Sequence, residues 1–241
     1  MSNDVKFSGI SAEARLLLAE NRFRDSRDFY EENKERIKEI AVEPMRQLAG
    51  ILGNELSVID PFMNTIPSKM VSRVRRDTRY TKDKHLYREN LWVMFMRPKH
   101  EWPHYPCMWF EFTPRAYSLG IGLFYQTPGL LEFWRKAIRE NTEEFRLAAE
   151  ACEKTGAVID GECYKKPKDG CPEGLEKYYN CKSVYFMISS GNLTDLEDET
   201  IIKKLRKYYR GFTPMYEFML QVADAYVESV GGLENARKGM R

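Results

Sequence analysis

Apolar residues recur at three- and four-residue spacing through the first fifty positions, which predicts helices. Residues 11–21 read as a short amphipathic helix with Ser11 as its N-cap. Asp25 or Ser26 can cap a longer one, in which Phe29, Tyr30, Ile37, Ile40 and Ala41 share a stripe. Pro44 lacks an amide hydrogen, so it is expected to kink or interrupt this helix. The pattern resumes through Met45, Leu48, Ile51 and Leu52, and Gly53 can end it.

The period then changes. Residues 70–76 alternate loosely, and Leu91–Met96 is continuously apolar, which predicts a strand buried on both faces. Residues 108–112 and 116–125 flank Thr113-Pro114-Arg115, a turn signal that predicts a hairpin. Helix returns over 128–153, with Thr127 as cap and Pro128 in the first turn. Strands are expected near 157–165 and 182–189, around a loop rich in Lys, Pro and Gly. Thr194 and Glu197 match a capping box for a helix over 195–209. Thr213 and Pro214 open a second helix over 214–230, which Gly231-Gly232 stops. Helices, then clustered strands, then helices predict an α+β fold with a largely antiparallel central sheet. No linker forces a boundary, so a single domain over 1–241 is expected. It would be helical over about 11–53, sheet-centred over about 66–190 and helical again over about 195–230.

Composition narrows the class. Hydrophobic residues make up 43% of the 241 positions, too many for a disordered chain. The longest run free of polar side chains, Leu119–Tyr125, is far short of the roughly 20 residues a spanning helix needs. The N-terminus does not read as a signal peptide, and five cysteines without a C-x-x-C favour reduced thiols in a cytoplasm. A formal net charge of +2 argues against a whole-surface attraction to nucleic acid or membrane.

Several motifs resemble chemistry and fail on physical grounds. His100-Glu101-Trp102-Pro103-His104 fits the zinc-protease pattern, but that pattern works only on a helix, and Pro103 opposes one. Gly120-Ile121-Gly122 lacks the third glycine of a dinucleotide loop; close backbone approach within a strand explains it better. Cys107 lies three residues after His104, with no orienting carboxylate or helix N-terminus to activate it. No metal site and no cofactor are expected.

One segment stands out. From Lys69 to Arg88 the chain reads KMVSRVRRDTRYTKDKHLYR, with eight basic and two acidic residues and a local charge of +6, while the rest of the chain carries −4. Two explanations compete: a solvated strand and turn with internal ion pairs, or an anion site built on guanidinium forks. Alternation would put Arg73, Arg75 and Arg79 on one face and Arg76 on the other. If Arg73 pointed inward it would need a partner, and Glu111, alone in an apolar strand, is a candidate.

At this segment the sequence resembles the bacterial family known as domain of unknown function 2461. RVRRDTRYTKDKHLYREN is similar to that family's arginine-rich signature, matched by Arg73, Arg76, Asp77, Arg79, Lys82, Asp83, Lys84 and Tyr87. Leu86 stands where the family usually has proline, Tyr80 where it has phenylalanine and Arg88 where it has lysine. DFYEENKERI, Pro44, SLGIGLFYQTP and GECYKKPKDGCPEGLEKYY resemble further family segments, with Lys165 and Lys166 in its basic positions. The resemblance implies a bacterial cytoplasmic α+β protein and no particular reaction.

The first expectation is therefore a small anionic or phosphorylated ligand bound by Arg73, Arg76, Arg79, Lys82, Lys84 and Tyr87, with Lys166 adding charge. Asp77 and Asp83 would orient the bases, or hold a divalent ion brought by the ligand. If there is catalysis, Asp77 or Glu111 is the candidate general base. The alternatives are nucleic-acid binding through the same patch, and a structural or interaction domain without catalysis.

Overall fold

A computed structural model describes residues 7–98, 100–101, 104–123 and 126–238. Helices α1 (Ala12–Arg24) and α2 (Arg27–Ile37) start where the sequence places caps. Ser11 Oγ accepts from the Ala14 amide at 3.1 Å, and Ser26 Oγ from that of Phe29 at 3.4 Å. Asp25 closes α1 in the left-handed region, with φ 46°, so the chain turns sharply between the two helices.

Pro44 does not break the next helix. A π turn, Lys38–Val42, runs directly into α3 (Glu43–Leu56), whose first turn holds the proline. The Glu43 amide bonds to the carbonyl of Lys38, five residues back. Widening the coil just ahead of the ring accommodates the donor that proline lacks.

A short helix α4 (Pro67–Met70) precedes the sheet, which has five strands: β1 (Leu91–Phe95), β2 (Pro106–Phe112), β3 (Tyr117–Leu123), β4 (Val158–Asp160) and β5 (Tyr185–Ser190). The strand order is β1-β2-β3-β5-β4, and the sheet is antiparallel. Residues 70–76, expected as a strand, meet the sheet at one isolated bridge, Val71 to Val93, and at the bonds between Ser72 and Trp92. In β1, Leu91, Val93 and Phe95 are buried, whereas Trp92 and Met94 are half-buried. The strand therefore has one fully buried face, not two. Gly122 lies where β3 meets the approach to β5: an added Cβ would fall 2.5 Å from Tyr185 Cβ. The end of the glycine-containing segment, Phe124 and Tyr125, is outside the described residues.

The helix expected over 128–153 is two, α5 (Pro128–Glu140) and α6 (Thr142–Glu153), broken at Asn141. After α7 (Glu176–Tyr179) and a 3-10 turn at Leu193–Leu196, the two helices expected at the end are one, α8 (Thr200–Ser229), with Pro214 inside; α9 (Leu233–Lys238) follows. The expected capping box does not form: the Glu197 backbone ends the 3-10 turn, and its side chain accepts from Arg15 at 3.1 Å. No helix among the described residues is long and apolar enough to cross a membrane.

Contacts gather into two compact units. The first comprises the described parts of 1–95, with 109–119 and 189–206. Its core includes Leu18, Met45, Leu52, Val93, Phe112 and Ile201. Tyr117 donates to Asp195 at 2.7 Å, and Arg206 forks onto Glu55 at 2.6–3.0 Å. The second comprises the described parts of 96–108, 120–188 and 207–241. Its centre is aromatic. Trp134 meets Phe145 and Phe218 edge-on at 5.3 and 5.7 Å between ring centres, and its indole N–H donates to the Tyr178 carbonyl at 3.0 Å. Such pairs add about 0.5–1.5 kcal/mol each beyond area burial.

Candidate anion-binding cluster

The basic segment is built on an irregular antiparallel pairing. Ser72 donates to the Trp92 carbonyl at 2.9 Å, Arg88 to that of Val74 at 2.9 Å, and Arg76 to that of Leu86 at 2.8 Å. The bridges pair Val71 with Val93 and Arg75 with Tyr87. Four positions on one side thus face six on the other, so the chain bulges near Glu89–Leu91. Alternation then separates the side chains. Arg73 and Arg75 are exposed, while Val74 between them is buried and Arg76 turns inward with its side chain 15% exposed.

The loop between these arms is clasped to the corner of α1 and α2. Asp25 Oδ1 accepts from the Leu86 amide at 2.6 Å. Asp83 is the main clasp. Its carboxylate accepts from Arg22 Nη2 at 2.6 Å and from Arg76 Nη1, and His85 Nδ1 lies 2.6 Å from its other oxygen. Arg22, then Arg76 and His85, hold the Asp83 carboxyl far below the usual carboxylate range. Arg22 also donates to the Tyr87 carbonyl at 3.1 Å.

Arg88 completes the cluster and differs from its neighbours. Its guanidinium lies 4.4 Å from the Trp92 ring centre. Its Nε is buried without a hydrogen-bond partner, and its side chain forms no hydrogen bond or ion pair among the described residues. Burial, followed by the charge of Arg76 and aided by Arg22, lowers its pKa, against a smaller opposing effect of Glu111. Arg22 and Arg76 thus share the carboxylate of Asp83, while Arg88 feels the charge of both and has Glu111 as its acidic neighbour.

The remaining predicted residues divide. Arg79 is exposed and closes on Asp77 through Nε at 3.0 Å and Nη2 at 2.7 Å, which lowers the Asp77 carboxyl to about 2. Such a carboxylate is a weak base at neutral pH. Lys84 donates to the Thr78 carbonyl at 2.9 Å, and Lys82 is exposed. Tyr87 is buried, and its ring stacks on Tyr30 at 4.7 Å. Burial raises its pKa, partly offset by the charge of Arg75. Glu111 accepts from the Asn90 side chain at the bulge, and Arg73 points outward, so the suggested inward pair between Arg73 and Glu111 does not form. Lys166 is exposed in a loop of the second unit.

Sequence reasoning counted Arg88 in the charge of the segment without singling it out, and passed over Arg22. Arg88 carried a signal, since it stands at a basic position of the family signature. Arg22 carried none, because its partner Asp83 is 61 positions away.

His104 is buried and the His100 side chain is 65% exposed, so the two imidazoles do not share a site; Trp102 and Pro103 lie outside the described residues. Among the described residues, no group of three His, Cys, Asp or Glu can hold a metal. Burial pushes the Cys107 thiol up to about 12, as expected of a packing residue.

Neither a search of curated proteins nor a search of solved structures finds a match. A family model does, over residues 14–218, and its description reads conserved hypothetical protein. The match takes in both clasped helices, the basic segment and most of α8, so the chain belongs to the DUF2461 family.

Proposed function

We propose that the protein binds a small anionic ligand, of the phosphate or phosphorylated-metabolite class, at the Arg22–Arg76–Arg88 cluster. The supporting observation is Arg88, a half-buried guanidinium whose carbon lies 4.4 Å from the Trp92 ring centre beside two other arginines, with no acceptor of its own. Like charges held together are relieved by a counter-anion, and planar forks suit phosphate or carboxylate oxygens. Asp83 fixes Arg22 and Arg76 in place, so little side-chain freedom remains to be lost on binding. Arg73 and Lys82, both exposed, add attraction at longer range. Arg79 and Lys84 serve mainly to shape the loop through Asp77 and Thr78. The reading assigns no reaction, and a cytoplasmic location goes with it, supported by five unpaired thiols.

Thermal melting with added phosphate, sulfate and nucleoside phosphates tests it. A ligand at a hundred times its Kd should stabilise by about 2.7 kcal/mol. Arg88→Ala should remove most of that response, leaving the fold intact. A response unchanged in Arg88→Ala and Arg76→Ala refutes the site. If the tightest partner were an oligonucleotide, with log K falling steeply against log salt, nucleic-acid binding would replace this reading.

A further inference from the structure

The second unit holds another basic cluster, centred on Arg135. Glu132, Arg135 and Arg139 stand on one face of α5 at three- and four-residue spacing. Arg135 is 2% exposed. Its Nη2 donates to Glu132 at 2.5 Å, but its Nε and Nη1 are buried with no hydrogen-bond partner. A buried donor without an acceptor is costly, so this side chain is incompletely satisfied by the protein alone.

The loop after β4 covers it. Asn180 holds the loop at two points, accepting from the Tyr164 amide through its backbone and from the Lys168 amide through its side chain, each at 2.8 Å. Tyr179 donates to the Asp169 carbonyl at 2.8 Å and accepts from Arg139. The Tyr164 ring centre consequently lies 5.7 Å from the Arg135 guanidinium carbon and 4.6 Å from Lys168 Nζ. Arg135, with Lys168 and Arg139 aiding, draws the Glu132 carboxyl below its ordinary range. Three cations thus surround one carboxylate, and that carboxylate is 62% exposed.

The chemistry of the fork decides what this arrangement can take. Nε–H and Nη2–H lie along the same edge of a guanidinium and together match two oxygens of one anion. Glu132 engages only Nη2 of that edge. We infer that Arg135 is the floor of a second anion site, in which two oxygens of a phosphate group span Nε and Nη2. Glu132 swings into solvent to make way, and the ammonium of Lys168 meets the remaining charge. This site is separate from the Arg22–Arg76–Arg88 cluster in residues and in unit, and it stands whether or not that cluster binds anything.

Calorimetric titration of the full chain with inorganic phosphate, in an Arg88→Ala background, tests the inference apart from the first site. Glu132→Gln removes the internal competitor and should tighten binding about tenfold, while Lys168→Ala should weaken it at least about threefold. Arg135→Lys keeps the charge but loses the fork, and should weaken binding by about tenfold or more. Glu132 is exposed and Lys168 half-buried, so these two substitutions decide the matter even if Arg135→Lys fails to fold. Tighter binding in Glu132→Gln is a gain that damage to the fold does not produce. Phenyl phosphate beside inorganic phosphate separates an ester from the free ion, and preference for either supports the site. The inference is overturned if Glu132→Gln shows no saturable binding up to about 10 mM, a binding free energy weaker than about −2.7 kcal/mol. It is equally overturned if phosphate binds with the same Kd in the presence and absence of the Glu132 and Lys168 changes.

Discussion

Arg22 in the last turn of α1 and Asp83 in the basic loop meet at 2.6 Å across 61 positions of sequence. Together with Arg76 on the same carboxylate, they fasten the loop to the helical corner. Asp83→Asn should free residues 77–86 and raise their rate of limited proteolysis by roughly an order of magnitude, since local opening rather than global unfolding controls cleavage there. The pH dependence follows from a depressed carboxyl pKa. The clasp is fully present above the unfolded aspartate value of about 3.9 and is lost as pH falls towards the folded value. Protection of the loop should therefore be flat from neutral pH to about 4 and decline only below it. A decline already under way at pH 6 would contradict this account.

Trp134 is fully buried among Phe145, Phe218 and the Tyr178 carbonyl. Trp134→Ala should cost about 3–5 kcal/mol, through lost burial, a cavity and a stranded carbonyl. Urea unfolding measures it directly, and a loss under 1 kcal/mol would mean that the aromatic centre repacks.

Gly122 has no room for a side chain. The added methyl would meet Tyr185 Cβ at 2.5 Å and the Val184 carbonyl oxygen at 2.7 Å, both on atoms that cannot swing aside. Gly122→Ala should destabilise by about 1–3 kcal/mol, read as a lower denaturant midpoint with an unchanged slope.

The thiols should divide by burial. Cys163 is exposed, whereas burial lifts Cys107, Cys152 and Cys181 to about 12. At pH 8 a thiol reagent should modify Cys163 first, the half-buried Cys171 more slowly, and the other three only on unfolding. Cys163 and Cys181 also face each other across an antiparallel bridge, flanked by the Tyr164–Asn180 and Lys182–Glu162 backbone bonds. That is the narrow type of pair, about 4.5 Å between Cα atoms, which is within disulfide range. Oxidised glutathione should attach to Cys163, releasing one glutathione thiol, and Cys181, which faces Cys163 but is shielded from free reagents, should then slowly displace the second as local opening lets it lose its proton. The check is a mass loss of about 2 Da and a linked peptide in a non-reducing digest, with Cys163→Ser as control.

Much of the fold was legible because its signals are local. Ser11, Ser26 and Thr127 cap helices through bonds spanning three residues, and all three form. Where local signals were ambiguous, packing decided. Thr213-Pro214 reads like a helix start, yet Tyr209 and Phe212 before it and Met215 and Tyr216 after it are all buried, and the helix runs through. Leu91–Met96 read as buried on both faces because Trp92 counts as apolar. In the structure it offers its ring to the Arg88 guanidinium, and so serves the basic cluster as well as the strand. The charge of the basic segment was visible in the sequence. Which of its cations keep internal partners was not, because those partners come from α1 and from the turns of the loop itself.

The π turn at Lys38–Val42 has a consequence for insertions and deletions. A wide turn holds one more residue than an α-helical turn spanning the same height, so it resets the angular phase of everything after it by about 100°. Met45, Leu48 and Leu52 are buried in the phase that this reset creates. Removing a single residue from 38–42 would leave a regular α coil with that apolar stripe still facing the core, whereas removing one from the regular α coil of 45–52 would swing the part of the stripe beyond it by about 100°. The irregular geometry here therefore absorbs the extra residue and keeps α3 aligned with the core of the first unit.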